Sequence, residues 1–341
     1  MKDRSKIGIL LVNIGSPDAP TAKAVRPYLR EFLSDARVID YPRWLWLPLL
    51  YGVILTVRPK RSARLYQNIW REDGSPLLAI MRGQAQGLTR TLRATGLDVV
   101  VEVGLRYGNP SVGDALRRLR AQKITQLLVL PLYPQYSTTT TATSFDAVFD
   151  ELKTWTTIPE LSTITDYHAH PAYIDALANS IRTYWQTHRR PSITLFSYHG
   201  IPARYAKNGD PYPEQCQHTS ELLAEALSLE KDEWAMSYQS RFGPEPWLQP
   251  YTDETLESWG HEKKKDVQVL CPGFSADCLE TIDEIDREAR EEFEDAGGEG
   301  FAYIPALNDS DNHIQALTTI ILEKIGGQQF SSSRKEEQQL A

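Results

Sequence analysis

Short apolar runs alternate with longer amphipathic segments along most of this chain. Each run is rich in β-branched or aromatic residues and apolar on both faces, and the six runs lie at 7–13, 98–104, 126–132, 193–198, 234–238 and 267–272. Such runs are typical of parallel strands that are buried on both sides. The segments 75–94, 171–188 and 214–227 carry apolar residues at helical spacing. The alternation predicts an α/β protein with helices on both faces of parallel sheets.

The alternation pauses once, between residues 154 and 161. We therefore divide the chain into two lobes of similar, doubly wound architecture, residues 1–157 and 158–325. The two lobes share an architecture but no sequence repeat. The segment 326–341 is polar and rich in Gly, Ser and Gln, a composition that predicts a disordered tail.

Charge and cysteine content argue against several classes of protein. The 341 residues include 37 Lys and Arg against 45 Asp and Glu, for a net charge of -8, whereas nucleic-acid binding usually requires a basic face. Cys216, Cys271 and Cys278 form no CxxC pair and are one short of the usual iron–sulfur ligand set. No segment reaches the roughly 20 apolar residues that a membrane span needs. We expect a cytoplasmic protein with reduced thiols that binds no nucleic acid.

Unusual residues collect in the loops that follow the predicted strands. These loops are rich in Gly, Pro, Tyr, Arg, His and hydroxyl residues and lie at 13–17, 105–110, 133–141, 197–202, 238–247 and 271–280. In open α/β sheets ligands bind outside the carboxyl ends of the strands, so these loops are the predicted site. The chain has neither a GxGxxG after a strand nor a GxxxxGKS or GxxxxGKT motif, which disfavours dinucleotides and nucleoside triphosphates as ligands.

One histidine and a row of glutamates carry the chemistry expected of this site. His199 ends a predicted strand, and an imidazole suits both divalent-metal binding and proton transfer near neutral pH. Glu280, Glu284 and Glu288 are four residues apart and share one face of a helix, where like charges repel. The row is either a solvated acidic face, with Arg287 and Arg290 as partial partners, or a line of oxygen ligands that passes a cation or receives protons.

Two further segments each allow two interpretations. Residues 137–141 are five hydroxyl residues ahead of a predicted helix over 145–153, so they either cap that helix or bind a carboxylate or phosphate. Residues 41–57 are apolar and are followed by the basic segment 58–64. They form either a buried core helix or an exposed apolar lip over 41–64 that covers a large flat ligand or touches a membrane surface.

Six motifs, in this order, give the chain a strong resemblance to the ferrochelatase family. They are LVNIGSP at 11–17, GLRYGNP at 104–110, LPLYPQYSTTT at 130–140, SYHGIPARYAKNGDPY at 197–212, QSRFGPEPWLQPYTDETL at 239–256 and QVLCPGFSADCLETIDEI at 268–285. The resemblance extends to about Leu322. It implies two chelatase-type lobes with the active-site cleft between them. It also implies an enzyme that inserts Fe²⁺ into protoporphyrin IX, gives protohaem and releases two protons.

The resemblance also assigns roles to particular residues. It implies that His199 is the essential histidine, as metal ligand or as base, that Glu280 is its partner carboxylate, and that Glu284 and Glu288 continue an acidic row behind them. Residues that line or organise the porphyrin cleft are expected at Ile14, Tyr66, Arg106, Tyr136 and Trp247. The resemblance places Arg58 and Arg61 in the segment where family members bind the porphyrin propionates.

The resemblance sets expectations about partners. Fe²⁺ is a substrate, and we expect no tightly bound cofactor. Animal members carry a C-terminal iron–sulfur cluster, which should be absent here because the C-terminal region has no cysteine. A monomer or a homodimer is expected, with peripheral contact at the inner face of the cell membrane if the lip 41–64 is exposed. Three alternatives stay open: cobalt insertion into a corrin precursor, action on coproporphyrin, and a tetrapyrrole carrier without turnover.

Overall fold

Two four-stranded parallel sheets form the frame of the molecule. The structure, a computed structural model, describes residues 6–339, with side chains to residue 327. The first sheet has the order β2-β1-β3-β4, with strands β1 Ile7–Ser16, β2 Val99–Gly108, β3 Gln126–Pro131 and β4 Glu160–Thr163. The second has the order β6-β5-β7-β8, with strands β5 Ile193–His199, β6 Trp234–Gln239, β7 Lys265–Leu270 and β8 Glu299–Ile304. The two orders are equivalent, so the prediction of two similar doubly wound α/β sheets is confirmed.

The two strands that the sequence did not reveal are the edge strands β4 and β8. Both begin with exposed residues and are only partly buried, so the apolar run that each shows in the sequence is short. β4 pairs with β3, from Gln126 opposite Glu160 to Val129 opposite Thr163. The first sheet therefore ends at Thr163, beyond residue 157, where the sequence analysis divided the chain.

Helices cover both faces of each sheet. The α-helices are α1 Ala22–Ser34, α2 Arg43–Leu49, α3 Leu55–Ile69, α4 Pro76–Ala94, α5 Val112–Ala121, α6 Thr143–Leu152, α7 Pro171–Thr187, α8 Ala203–Lys207, α9 Tyr212–Leu227, α10 Thr252–His261, α11 Arg290–Asp295 and α12 Asp311–Gln339. Three π-helical segments, Leu50–Ile54, Thr138–Ala142 and Glu280–Ala289, run directly into α3, α6 and α11. The helices predicted over 75–94, 145–153, 171–188 and 214–227 are present as α4, α6, α7 and α9.

One large apolar core joins the two halves. It contains residues of both sheets, such as Leu11 and Leu130 from the first and Phe196 and Tyr198 from the second, together with α4, α7, α9 and α12. α12 packs against α4, where the hydroxyls of Thr91 and Thr318 are 2.8 Å apart. The C-terminal helix thus covers the first half of the chain, and the two sheets are held together by shared burial.

α12 continues where the sequence analysis predicted a disordered tail. Its helical backbone extends to Gln339, whereas the predicted tail began at residue 326, and residues 340–341 lie outside the described part of the chain. Gln, Lys and Glu are good helix formers, and helical hydrogen bonds are local. No helix of the described residues is long and apolar enough to cross a membrane.

We predict that Gly15→Ala destabilises the protein more than Gly74→Ala. Both glycines have positive φ, at 127° and 108°, but a Cβ at Gly15 would lie 1.8 Å from the Tyr107 carbonyl oxygen, whereas nothing lies within 4 Å at Gly74. The extra loss at Gly15 should be about 1–3 kcal/mol, because β1 and β2 must separate locally. Urea unfolding of the two variants measures the difference, and equal losses would contradict it.

Candidate active site

His199 lies where the order of the second sheet changes direction. β5 ends at His199, and its neighbours β6 and β7 lie on opposite sides of it. A crevice forms at such a point because the loops that leave the two central strands turn to opposite faces of the sheet. The loop after β7 leads to Glu280, so this topology brings the predicted histidine and carboxylate to one crevice. In the first sheet the same point lies between β1 and β3, which carry Ile14 and the Tyr136 loop.

The His199 imidazole is half-buried and electrostatically coupled to Glu280. Burial lowers the pKa of His199, and the Glu280 carboxylate opposes this shift without cancelling it. The ring also lies edge-on to Phe274, with 6.4 Å between the ring centroids. His199 is therefore neutral near pH 7, with a nitrogen lone pair available to accept a proton or bind a metal.

Gln239, which the sequence analysis did not single out, connects the elements of the crevice. It ends β6 opposite His199, its amide nitrogen donates to the Glu280 carbonyl at 2.9 Å, and its amide oxygen accepts from the Ser197 hydroxyl at 2.9 Å. Gln239 thus links the start of the Glu280 segment to the ends of β5 and β6. The sequence feature that could have drawn attention to Gln239 is its place directly after the apolar run 234–238.

Asp277 holds the loop that precedes Glu280. Its carboxylate accepts from Thr281 at 3.0 Å, from Tyr303 at 2.6 Å, and from Asn308 at 2.7 Å. The Thr281 hydroxyl in turn accepts from the backbone N–H of Cys278 at 3.0 Å. These bonds fix the backbone on both sides of Glu280. Asp277 was also missed, because an acidic residue in a turn carries no sign of its burial.

The three glutamates form a row that leads from the crevice toward solvent. They occupy the π-helical segment Glu280–Ala289 rather than an α-helix, and π-helical turns often occur at functional sites. Ser240 donates to Glu284 at 2.6 Å. Burial raises the pKa of Glu284 to about 7, and the charge of the neighbouring Glu280 adds to this rise. The hydrogen bond from Ser240 opposes it. Glu288 is more open, with its side chain 46% exposed.

The basic neighbours of this row neutralise only its outer end. Arg287 pairs with Glu288 at 2.9 Å and with Asp283 at 2.8 Å, whereas Arg290 pairs with Asp286. The interpretation as a solvated acidic face therefore fits Glu288 but not the two inner glutamates. Among the described residues, no group of three or more His, Cys, Asp or Glu side chains is arranged to hold a metal ion. His199 and the glutamates form a row rather than a cage.

Aromatic side chains of the first half pack against this row. Tyr66 of α3 is buried edge-on to Tyr28 of α1, with 6.4 Å between the ring centroids. Burial raises the pKa of both phenols, and the negative charge of Glu280 adds to the shift. Asn68 of α3 lies 3.4 Å from Asp283. The helices α1 and α3 thus form the wall that faces the glutamate segment across the crevice.

The other predicted cleft residues lie on both sheets. Ile14 is half-buried at the end of β1 and contacts the core clusters on both sides of it. Tyr136 is half-buried, and its backbone N–H donates to Gln215 at 2.7 Å. Trp247 lies beside Gly200, where an added Cβ would come within 3.3 Å of the indole ring. These side chains stand at the carboxyl ends of the strands or on the loops that follow them.

A family model for ferrochelatases matches residues 6–325 of the chain. The chain belongs to the ferrochelatase family. It is 54% identical over 327 residues to a ferrochelatase of Hydrogenovibrio crunogenus, covering 94% of this chain and 86% of that one. It is 50% identical over 321 residues to a ferrochelatase of Vibrio cholerae, covering 94% and 99%. The prediction of the family and of a metal-chelating lyase of haem synthesis, with porphyrin and iron as substrates, is confirmed.

Solved structures agree on the fold alone. SirB from Bacillus subtilis with Fe³⁺ superposes with a TM-score of 0.55 at 12% identity and covers 94% of this chain and 95% of its own. A sirohydrochlorin chelatase SirB complex with cobalt gives 0.50 at 11% identity and covers 91% and 92%. The chain shares with these proteins the paired-sheet chelatase architecture.

Arg106 ties together the segments behind the wall of the cleft. Its guanidinium bonds to the Asp35 carboxylate and donates to Thr143 at 2.7 Å. Tyr107 also donates to Asp35 at 2.9 Å. The pKa of Asp35 lies below its ordinary value. Burial alone would raise it, but the hydrogen bonds from Thr143 and the Arg37 backbone, together with the charge of Arg106, outweigh burial. The cluster ties α1 to β2 and α6.

The hydroxyl run binds a carboxylate of the chain itself. Asp210 accepts from the Ser137 hydroxyl at 2.9 Å and from the Thr138 N–H at 2.7 Å. Ser137 also caps the helical segment by accepting from the Thr139 N–H at 3.2 Å. Both interpretations of 137–141 therefore hold in part, since the residues cap a helix and hold an anion that comes from the second half.

The lip 41–64 is buried on one face and exposed on the other. Trp46, Leu50 and Leu55 are buried against α1 and α3. The large exposed side chains of the segment are Tyr41, Trp44, Leu45, Leu49, Tyr51, Val53 and Val57, with Trp44 at 75%. The Arg58 guanidinium stacks 4.9 Å over Phe242 of the opposite half, and Arg61 is exposed. The lip thus contacts the loop after β6 from across the cleft.

We predict a pH-dependent gain in stability for Glu284→Gln. The folded-state pKa of Glu284, about 7, lies above its ordinary value of 4.5. The free energy of unfolding therefore falls as the pH rises through this interval. The variant should gain up to about 3 kcal/mol at pH 8 and nothing at pH 4.

Urea unfolding at pH 4, 6 and 8 measures this gain. Glu288→Gln is the control, because an exposed ion pair contributes less than about 1 kcal/mol. A gain for Glu284→Gln that is equal at pH 4 and pH 8 would contradict the assignment.

Proposed function

We propose that the enzyme inserts Fe²⁺ into protoporphyrin IX with His199 and Glu280 at the reacting nitrogens. The observation that carries the proposal is the row of groups from neutral His199 through Glu280 and Glu284 to the open Glu288. Two pyrrole N–H protons must leave as the metal enters, so the overall charge balances without electron transfer. The insertion step itself therefore needs no redox cofactor.

The division of labour follows from the charge state of each group. His199 is neutral because burial lowers its pKa, so it accepts a pyrrole proton or binds Fe²⁺ through a lone pair. Glu284, with a pKa of about 7, exchanges protons readily near neutral pH. Glu288 completes the path to solvent. The same oxygens suit a divalent cation, so metal and protons would move along the row in opposite directions.

The walls of the cleft would hold and bend the macrocycle. Ile14, Tyr66, Tyr136 and Trp247 offer apolar and aromatic surface, while Arg106 fixes the wall behind them. Bending exposes nitrogen lone pairs that a flat macrocycle hides, and contacts remote from the nitrogens supply the energy for it. Arg58 and Arg61 are the proposed partners of the propionates.

Two properties of the molecule outside the cleft are also proposed. All side chains of the site come from one chain, so a monomer is sufficient and a homodimer is compatible. We propose a cytoplasmic enzyme that touches the inner face of the membrane through the lip. Exposed Trp44, Leu45 and Leu49 beside the basic residues of 58–64 suit an anionic surface.

We expect His199→Ala to reduce kcat at least a hundredfold while porphyrin affinity changes only a few-fold. Loss of a general base typically costs 10²- to 10⁴-fold, and the cleft walls remain. An anaerobic assay with Fe²⁺ and protoporphyrin IX measures turnover, and porphyrin fluorescence measures binding. His188→Ala, an exposed histidine stacked on Tyr184, is the control. Retention of most activity in His199→Ala would refute the assignment.

The same assay separates the alternative substrates. Protoporphyrin IX should turn over faster than coproporphyrin, and cobalt insertion into a corrin precursor should be negligible. Porphyrin binding without metal insertion under any of these conditions would favour the carrier instead.

Trp44→Ser with Leu49→Ser should reduce binding to anionic vesicles several-fold, because apolar burial and charge both contribute to interfacial binding. Co-sedimentation with vesicles that contain phosphatidylglycerol measures the effect. Phe149→Ser, which changes an exposed apolar residue of α6, is the control. Unchanged vesicle binding with a raised KM for porphyrin would instead make the lip a cover for the substrate.

A further inference from the structure

Two histidines face each other on the outside of the molecule, away from the insertion site. His168 lies between β4 and α7, and His218 lies on α9. His168 Nε2 and His218 Nδ1 are 3.3 Å apart, and the ring centroids are separated by 5.4 Å at an angle of 62°. The two imidazoles come from segments 50 residues apart, so the tertiary structure alone brings them together.

A carboxylate next to His168 determines which nitrogen of its ring carries the proton. Asp166 lies 2.8 Å from His168 Nδ1, so the carboxylate accepts the Nδ1 proton and leaves Nε2 with a lone pair that faces His218. A carboxylate that accepts from the far nitrogen is the usual support for a metal-binding histidine, because it fixes the tautomer and increases the basicity of the ring.

The separation of the two nitrogens matches two ligands of one tetrahedral ion. With metal–nitrogen bonds of about 2.0–2.1 Å, tetrahedral geometry places two ligand nitrogens about 3.3–3.4 Å apart. The observed 3.3 Å falls in this range and is at the long end for a hydrogen bond. The pair can therefore accept an ion with little movement of either ring.

Two other histidines near the surface lack this arrangement. His170 accepts from the Ala172 N–H through Nδ1 and contacts Glu323 through Nε2, so both of its nitrogens are engaged. His261 has a single carboxylate neighbour, Glu257, at 3.7 Å. Only His168 and His218, among the described histidines, place two ring nitrogens within hydrogen-bond distance of each other.

We propose that His168 and His218, with Asp166 supporting His168, form a second metal site, which takes a tetrahedral first-row divalent cation such as Zn²⁺. Imidazole nitrogen suits these ions, and the exposed His218 leaves room for water at the remaining positions. The site offers two protein ligands, with Asp166 as the support of one of them, and it is separate from His199 and Glu280.

The second metal site is connected to the porphyrin cleft through α9. One turn before His218, Gln215 accepts from the Tyr136 backbone N–H at 2.7 Å. One residue after it, the Thr219 hydroxyl lies 3.0 Å from the His168 carbonyl and accepts from Gln135 at 3.0 Å. A bound ion would clamp the His168 segment to α9 directly behind the Tyr136 loop.

The test uses the full chain that carries both His199→Ala and Glu280→Gln, because these two substitutions remove the insertion site. Titration calorimetry with Zn²⁺ alone should detect one ion per chain in this background. His168→Ala or His218→Ala should weaken binding at least tenfold, and Asp166→Asn about tenfold, as other carboxylate supports do. Co²⁺ in place of Zn²⁺ should give the visible absorption of a tetrahedral ion, and this absorption should be lost in the same variants.

His261→Ala is the matched control, since it removes an exposed histidine that also has a carboxylate neighbour. His218 is exposed, so its variant should keep the metal-free melting temperature, which separates loss of binding from loss of folding. Zn²⁺ affinity that is unchanged in His218→Ala would overturn the proposal. So would an equal loss in His261→Ala, or an effect of only one of the two histidines.

Discussion

The site depends on one topological constraint, the reversal of strand order beside β5 and beside β1. In each sheet the second strand along the chain lies on one side of the first strand, and the third strand lies on its other side. The loops that leave two adjacent strands therefore turn to opposite faces and open a crevice between them. In the second sheet these loops carry His199 and Glu280. In the first they carry Ile14 and Tyr136. The two sheets share one apolar core, and this core packs the two crevices next to each other.

Burial in this crevice determines the chemistry of its ionisable groups. It lowers the pKa of His199 and raises that of Glu284 to about 7, so both groups favour their neutral forms relative to water. A buried row of three full charges would be costly. The neutral forms of His199 and Glu284 reduce this cost, and Arg287 pairs with Glu288 at the mouth of the row.

Buried ion pairs and hydrogen bonds connect the cleft walls across the chain. Asp35 holds Arg106, Asp210 holds the start of the Thr138 segment, and Asp277 holds the loop before Glu280. Each carboxylate accepts two or more hydrogen bonds and joins segments far apart in sequence. Such networks favour one arrangement, because removing any partner leaves a buried polar group unsatisfied. The residues that touch a substrate are thus supported by others that do not.

The sequence alone determined the elements that depend on local pattern. Continuous apolar runs mark the central strands β1, β3, β5 and β7, which are apolar on both faces, and they also mark the edge strands β2 and β6. The motifs around His199 and Glu280 identified the family, and the spacing of the glutamates indicated one helical face. β4 and β8 escaped detection because both begin with exposed residues and have only short buried stretches.

Only the tertiary structure decided what depends on partners distant in the chain. It showed that Arg106 is engaged by Asp35, that residues 137–141 bind Asp210, and that the lip is exposed on one face and buried on the other. It also revealed Gln239 and Asp277, and it brought His168 to His218. These outcomes depend on burial and on long-range contacts, and neither the composition of a segment nor its periodicity contains that information.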